Sequence, residues 1–259
     1  MTDTLNGYVL AGDGPRKVLV MSGWFGSADD WQPLVPALDT DTFSYLLFDY
    51  RGYGRSRGRD GAFTFEEAAG DALALADHLG WDRFSVIGHS MGGVAIQRLL
   101  LAAPERIERM AGVCAVPACG SRMDETRLAA FRAVVDDVER RAAIIAFSTG
   151  NRLAPRWSRH LASESMRLAR DDAFAAYLPH WAASDFSAEL AAEVARNPVP
   201  VKLLIGEHDP TLTAELMART WLAWYPGATL QTLPNAGHYP MYEVPVALAT
   251  ALEDWLKAA

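Results

Sequence analysis

The sequence has few of the features that mark membrane or nucleic-acid-binding proteins. No apolar run approaches the roughly 20 residues that a membrane helix needs, and residues 1–7 contain neither the basic nor the apolar segment of a signal peptide. The formal net charge is -8 and no basic cluster interrupts it, which argues against a nucleic-acid surface. We therefore expect a soluble cytoplasmic protein with no membrane and no nucleic-acid partner.

Cysteine and metal-ligand patterns are equally sparse. The two cysteines, Cys114 and Cys119, stand close together, so a disulfide or redox pair is one interpretation. Buried free thiols are the other, and we expect them because nothing in the sequence indicates an oxidising compartment. None of the six histidines has metal-ligand spacing with a cysteine or a carboxylate cluster. We expect no metal site and no cofactor.

The order of strand-like and helix-like segments predicts an α/β fold with an interruption. Half of the 259 residues are apolar, which is enough for a large core. Strands and helices alternate up to residue 117 and again from residue 198, whereas the segment between shows no strand-like alternation. We predict that this segment is helical over residues 125–140, 141–147, 163–170, 173–181 and 188–196. The predicted units are therefore a core in two parts, 1–117 and 198–259, and an all-helical insert, 118–197.

One short stretch has the sequence of a catalytic serine turn. Residues 88–93 read GHSMGG between a short β-branched run, residues 84–87, and a helix-forming run, residues 94–103. On a sharp turn from strand to helix, Ser90 needs neighbours without bulk, and the flanking glycines meet that need. Its hydroxyl is then accessible beside the Met91 N–H, where the start of a helix stabilises a developing oxyanion.

A serine nucleophile needs a base and an acid, and the chain supplies both downstream. Asp209 follows a predicted strand, residues 200–206, and His238 lies in a turn-rich loop after the next predicted strand, residues 228–233. His238 is the only candidate for the base among these segments. Glu207 is the alternative acid, but the shorter side chain of Asp209 fits the orienting role better. We predict a triad in the chain order Ser, Asp, His.

Four motifs together resemble those of the α/β-hydrolase family. They are DYRGYGRS at residues 49–56, GHSMGG at 88–93, GEHDP at 206–210 and AGHYP at 236–240. The resemblance covers essentially the whole chain. It implies the α/β-hydrolase fold, a mostly parallel central sheet flanked by helices, with the helical insert as a cap over the strand ends. The sequence departs from the family at Ser22, where a histidine is usual.

The resemblance also implies the roles of the site residues. Ser90 is the expected nucleophile, with His238 as base and Asp209 as acid, and the N–H groups of Trp24 and Met91 form the expected oxyanion hole. The commonest reaction of this arrangement is hydrolysis of a small carboxylic ester, lactone or thioester, so a carboxylesterase is the leading interpretation. The alternatives are a C–C bond hydrolase of the ring-cleavage-product type, and a hydrolase-fold small-molecule receptor with little turnover.

Aromatic residues of the insert and of the loops near the serine predict an apolar pocket. The candidates to contact substrate are Trp24, Phe25, Phe147, Trp157, Trp181 and Tyr239. Ordinary core packing is the alternative for any one of them. The arginines of the insert stand among acids and are expected on solvated faces, although one of them is a candidate to bind a substrate carboxylate. The motifs select neither that arginine, nor the acyl-chain length, nor the oligomeric state.

Overall fold

A computed structural model describes residues 5–258 and contains one seven-stranded sheet. The strands are β1 (Tyr8–Ala11), β2 (Arg16–Met21), β3 (Phe43–Phe48), β4 (Phe84–His89), β5 (Ile107–Val113), β6 (Val201–Gly206) and β7 (Thr229–Leu233). Their order is β1-β3-β2-β4-β5-β6-β7. The pair β1 and β3 is antiparallel, and every other pair in the sheet is parallel.

Helices surround the sheet and fill the interval between β5 and β6. They are α1 (Phe65–His78), α2 (Gly92–Ala102), α3 (Glu125–Arg132), α4 (Val138–Ser148), α5 (Pro155–Leu168), α6 (Asp171–Ala182), α7 (Ser187–Arg196), α8 (Ala214–Arg219), α9 (Trp221–Trp224), α10 (Pro240–Glu243) and α11 (Pro245–Lys257). Short 3-10 helices span Ala28–Trp31, Val35–Ala37, Gly54–Ser56 and Pro104–Arg106. Within residues 5–258, none of the helices combines the length and the apolar character needed to cross a bilayer.

Both faces of the sheet are buried. Successive side chains of β2 alternate between two cores: Leu19 packs in the core that contains α1 and α2, and Val20 packs in the core that contains α11. This is the burial expected of a parallel sheet, whose crossover helices cover both faces. The predicted α/β-hydrolase fold, a mostly parallel sheet flanked by helices, is confirmed.

The parallel strands bring the three predicted triad residues to one edge of the sheet. Ser90 directly follows β4, while Asp209 and His238 lie in the loops after β6 and β7. Because β4, β5, β6 and β7 all run in the same direction, the loops at their carboxyl ends meet.

Some predicted boundaries are wrong, and local geometry explains them. The helix predicted over residues 125–140 is two helices, because Asp137 adopts an extended backbone and caps α4 by accepting the Arg140 N–H at 3.0 Å. The helix predicted over residues 163–170 begins earlier, at Pro155, which fits the first turn of a helix. Strand β5 ends at Val113, since Cys114 adopts a left-handed φ of 43°.

The segment between β5 and β6 is helical, as the sequence pattern indicates. Within residues 114–200 the chain forms helices α3 to α7, and no element of that interval joins the sheet. The division into units at residues 117/118 and 197/198 stays a prediction.

Candidate active site

Ser90 occupies a strained turn between β4 and α2. Its φ of 53° lies in the left-handed region, which costs a residue with a side chain about 1–3 kcal/mol. The neighbouring glycines make the turn possible. A Cβ atom on Gly88 would lie 2.3 Å from the Gly92 oxygen, and one on Gly92 would lie 2.3 Å from the Met21 oxygen. The turn therefore requires glycine at the two positions that the sequence pattern singled out.

His238 joins Ser90 to Asp209. Its Nε2 lies 2.9 Å from the Ser90 Oγ, and its Nδ1 lies 2.6 Å from Asp209 Oδ2. An ionised carboxylate only accepts hydrogen bonds, so the proton of the neutral imidazole resides on Nδ1. Nε2 is then free to accept the Ser90 hydroxyl proton.

Asp209 is held in its ionised form. Its side chain is fully buried, and Oδ1 accepts the N–H groups of Thr211 at 2.9 Å and Leu212 at 3.1 Å. Burial alone would raise the pKa of this carboxyl, but the charge and hydrogen bond of His238, together with the two N–H groups, hold the pKa below its ordinary value. Glu207 instead has a half-exposed side chain and accepts the Asn235 N–H at 3.0 Å. The structure therefore brings Asp209, and not Glu207, to the histidine.

Of the two predicted oxyanion donors, Trp24 lies in the loop after β2 and Met91 directly follows Ser90. Met91 precedes α2, and the loop after β2 approaches Ser90 so closely that a Cβ atom on Gly23 would lie 3.1 Å from the Ser90 Cβ. Within residues 5–258, neither the Trp24 nor the Met91 N–H donates a hydrogen bond to another backbone group. Both donors remain available for a ligand oxygen.

Ser22 secures that loop where the family usually has histidine. Its hydroxyl donates to the Ser27 carbonyl at 2.8 Å and accepts the Trp31 indole N–H at 3.1 Å. The side chain is buried, so these bonds replace water contacts. A short hydroxyl thus links the start of the loop to the 3-10 helix that follows it.

A cavity of about 280 Å³ contains both Ser90 and His238. Five of the six residues predicted to contact substrate line it: Trp24, Phe25, Phe147, Trp181 and Tyr239. The other lining side chains were not among those six; they are Val116, Ser121, Met123, Arg127, Phe131, Ala143, Ile144, Ser148, Thr211 and Leu212. Apolar side chains dominate this wall, as the aromatic content of the insert indicated.

Trp157 is the exception, and the expectation that it lines the cavity is wrong. It lies on α5, where its ring packs 5.8 Å from Tyr239 and 5.9 Å from Tyr242, and it is not among the residues that line the cavity. Phe131 takes the place that aromatic content alone suggested for Trp157, with its ring stacked 5.8 Å from Trp24. Composition identified aromatic residues but not which helix faces they occupy.

Comparison with known proteins decides the family. A family model described as the alpha/beta hydrolase fold matches residues 17–245. The chain belongs to the α/β-hydrolase family. The chain is 36% identical over 106 residues to a serine hydrolase-like protein from Danio rerio, a match that covers 40% of this chain and 32% of that protein.

Two further comparisons extend this relationship. The chain is 33% identical over 113 residues to the pimeloyl-(acyl-carrier protein) methyl ester esterase of Pectobacterium carotovorum, with 44% of this chain and 42% of that protein covered. The matches thus span less than half the length of these curated relatives. The structure is similar to olei00960, a hydrolase from Oleispira antarctica, with a TM-score of 0.84 and 16% identity over 98% of this chain and 95% of that one. At that identity the likeness concerns the fold alone.

A buried carboxylate holds the loop that carries His238. Glu243 accepts the Gly237 N–H at 2.8 Å and the Tyr239 N–H at 3.0 Å. Arg152 pairs with the same carboxylate at 3.0 Å, and the Glu243 side chain is 1% exposed. The sequence analysis missed Glu243, although a lone carboxylate in the otherwise apolar segment 239–249 was an available signal.

The peptide groups of His238 itself are also fixed. Its N–H donates to the Ser148 carbonyl at the end of α4, at 3.1 Å, and its carbonyl accepts from His89 Nε2 at 2.7 Å. Burial, with the nearby His238, lowers the pKa of His89 to about 3. His89 therefore stays neutral and acts as a hydrogen-bond donor to the base-bearing loop.

Cys114 lies beside the triad but is a buried free thiol, as is Cys119, which confirms the prediction for both. Its Sγ is 3.6 Å from the Gly237 carbonyl, and burial raises the pKa of the thiol well above its ordinary value. Cys114 is therefore not a thiolate nucleophile near neutral pH.

In the described part of the chain, one group of side chains has ligand atoms close enough to hold a metal ion. It consists of Cys114, Asp209 and His238, whose ligand atoms lie within 4.8 Å of one another. Both ring nitrogens of His238 are engaged, however, one with Asp209 and one with Ser90. A metal ion would have to displace one of these bonds. The donor set fits a hydrogen-bonded triad better than a metal site.

Proposed function

We propose that the protein hydrolyses a small carboxylic ester, lactone or thioester through an acyl-enzyme on Ser90. The observation that carries the proposal is the unbroken hydrogen-bonded series from buried Asp209 through His238 to Ser90, with the serine in an apolar cavity. Membership of the α/β-hydrolase family supports hydrolysis in general. The choice of an ester rests on the site.

The first step is acylation of the serine. His238 Nε2 removes the hydroxyl proton as Ser90 Oγ attacks the carbonyl carbon, and Asp209 stabilises the resulting imidazolium. The oxyanion accepts from the Trp24 and Met91 N–H groups, which is worth roughly 2.7–4 kcal/mol for each donor. The imidazolium then returns its proton to the departing alcohol, leaving an ester bond to Ser90.

The second step releases the acid. His238 deprotonates a water molecule, which attacks the acyl carbon, and the imidazolium protonates Ser90 Oγ as the acyl bond breaks. One ester and one water yield one acid and one alcohol, and the enzyme returns to its starting state. Neither a metal nor a cofactor is required at any point.

The cavity supports a substrate with an apolar acyl or alcohol part. Its volume is close to the lower end of the range for small-molecule sites, and its wall includes Trp24, Trp181 and Leu212. The substrate class is therefore small and largely apolar near the scissile carbonyl.

A substrate panel tests the proposal. The purified protein would be assayed with p-nitrophenyl esters of increasing acyl length, simple lactones and a vinylogous diketone, and product counted per chain. Many equivalents released from the esters support the proposal. Preference for the diketone would indicate a C–C bond hydrolase, and release of about one equivalent would indicate a receptor; either result contradicts ester hydrolysis as the function.

Covalent labelling tests the nucleophile separately. Phenylmethylsulfonyl fluoride or an organophosphonate is expected to modify Ser90, as located by peptide mass spectrometry. Ser121 and Ser148 also line the cavity and serve as internal controls. Adducts confined to either of them would refute the assignment of Ser90.

A further inference from the structure

Most arginines of the helical segment are paired with carboxylates. The pairs join Arg122 to Asp185, Arg132 to Glu125, Arg140 to Asp137, Arg152 to Glu243, Arg159 to Glu139, Arg167 to Glu164, Arg170 to Asp172 and Arg196 to Glu193. These arginines have an anionic partner within the protein. They need none from a substrate.

Three arginines of the segment have no such ion pair within residues 5–258, and two of these lie away from the cavity. Arg141 is buried, with its guanidinium bonded to the Val134 carbonyl and the Ser165 hydroxyl, both at 2.9 Å. Arg156 is exposed and is not part of the cavity wall. Arg127 remains.

Arg127 reaches the cavity that contains the triad. From α3, its guanidinium lies 6.0 Å from the centre of the Phe131 ring and 3.5 Å from the Thr211 hydroxyl, and all three residues line the same cavity as Ser90. No Asp or Glu lines that cavity. A largely apolar wall thus carries one permanent positive charge, on the side chain best suited to bind a carboxylate with two parallel hydrogen bonds.

We propose that Arg127 binds a carboxylate carried by the substrate, so that the preferred substrate is an ester with a second, ionised carboxyl group on its acyl or its alcohol part. The inference rests on the proposed function of the Ser90 site. The apolar part of the substrate lies against the aromatic wall, and the carboxylate is held at Arg127. Arg127 selects the substrate and takes no part in proton transfer.

Two matched pairs of esters test this assignment. In the first, mono-p-nitrophenyl adipate is compared with p-nitrophenyl hexanoate, which has the same number of acyl carbons and no charge. In the second, the hexanoyl ester of 4-hydroxybenzoate is compared with that of 4-hydroxybenzamide, so the charge is on the alcohol part. For each pair the selectivity is the ratio of kcat/KM for the anionic ester to that for the neutral one.

Arg127→Gln is expected to lower this selectivity about tenfold in at least one pair, which is the size of one charge-assisted hydrogen bond from this exposed side chain. Arg127→Glu should lower it further, and Arg127→Lys should retain part of it. Added salt should reduce the selectivity of the unaltered protein and not that of Arg127→Gln.

Arg132→Gln is the matched control, because Arg132 lies on the same helix, pairs with Glu125 and does not line the cavity. Its selectivity should stay within twofold of that of the unaltered protein. If the esters are hydrolysed and Arg127→Gln changes neither ratio, the role of Arg127 is overturned while ester hydrolysis stands. If the unaltered protein hydrolyses none of the four esters, the proposed function fails, and the substrate assignment fails with it.

Discussion

Glu243 brackets His238 without contacting its ring. The carboxylate accepts the peptide N–H groups immediately before and after the histidine, from Gly237 and Tyr239. These two bonds therefore fix the orientation of the His238 backbone and, with it, the direction in which the imidazole ring points. The hydrogen bond between His238 Nε2 and Ser90 Oγ is 2.9 Å long. Because hydrogen bonds weaken steeply when their geometry is distorted, a small rotation of this loop is enough to break it.

Glu243→Gln should lower kcat by roughly 10- to 100-fold with little change in KM, because an amide cannot accept two N–H groups with its two ends. Steady-state kinetics on a reactive ester would measure the two parameters. Glu253→Gln is the control: this other buried carboxylate accepts the Tyr45 hydroxyl and the Asp39 N–H, both at 2.7 Å, away from the site. It should lower the melting temperature and leave kcat unchanged. Equal kinetic losses in both variants would mean that Glu243 acts only on stability.

Ser90→Ala and His238→Ala should each lower kcat by roughly four to six orders of magnitude, because the members of a triad act as a unit and their losses do not add. The double variant should be no slower than either single one. Circular dichroism would verify that the fold persists, and Ser163→Ala, on an exposed part of α5, should retain full activity. A Ser90→Ala protein with a tenth of the original kcat would exclude Ser90 as nucleophile.

Asp209→Asn should cost about four orders of magnitude in kcat, since the amide N–H₂ favours the tautomer with the proton on the wrong ring nitrogen. Glu207→Gln should remain within roughly tenfold, because the Glu207 carboxylate contacts the Asn235 N–H and not His238. Comparison of kcat for the two variants on one substrate is sufficient. The opposite ranking would make Glu207 the residue that orients the base.

Asp30 should make the protein less stable as the pH rises. Burial raises the pKa of its carboxyl from 3.8 to about 7, although the Tyr242 hydroxyl donates to it at 3.0 Å. Between these values the folded protein binds more protons at Asp30 than the unfolded chain does, so the free energy of unfolding falls as the pH rises from about 4 to 7.

Asp30→Asn removes this titration and keeps an acceptor for Tyr242. From about pH 4 to pH 8, the free energy of unfolding of the unaltered protein should fall by about 1–3 kcal/mol more than that of Asp30→Asn. This difference is smaller than the full pKa shift implies, because Asp30 is only half-buried and solvent screens its charge. Urea unfolding at several pH values would measure the difference. Parallel stability curves for the two proteins would show that Asp30 ionises normally in the folded state.

Local chemistry explains which features the sequence predicted well. The turn at Ser90 and the strand ends before Asp209 and His238 are determined by residues adjacent in the sequence. The fold class and the approach of the three side chains can therefore be predicted from short motifs. Glu243 was missed because its role depends on how loops and helices pack. Glu243 contacts the Gly237 and Tyr239 N–H groups only because the chain turns back over them. No rule of residue spacing predicts that turn.

The helical segment shows the same limit. Its helical character was predictable, but the break before Asp137 depends on one capping bond, and the faces of α3, α4 and α5 depend on which neighbours they bury. Trp157 was therefore placed in the cavity on composition, whereas its ring packs against Tyr242.

The bond between the Ser148 carbonyl and the His238 N–H restricts how a substrate reaches the serine. Ser148 ends α4, and a Cβ atom on Gly237 would lie 2.6 Å from the Thr149 Cα, so this end of the helix rests directly on the base-bearing loop. Lifting α4 as a hinged cover would pull on the histidine backbone and disengage the base. We therefore expect substrates to be admitted by rotation of exposed side chains at the cavity wall, such as Phe147, which is 50% exposed, while the hydrogen bonds of His238 stay assembled.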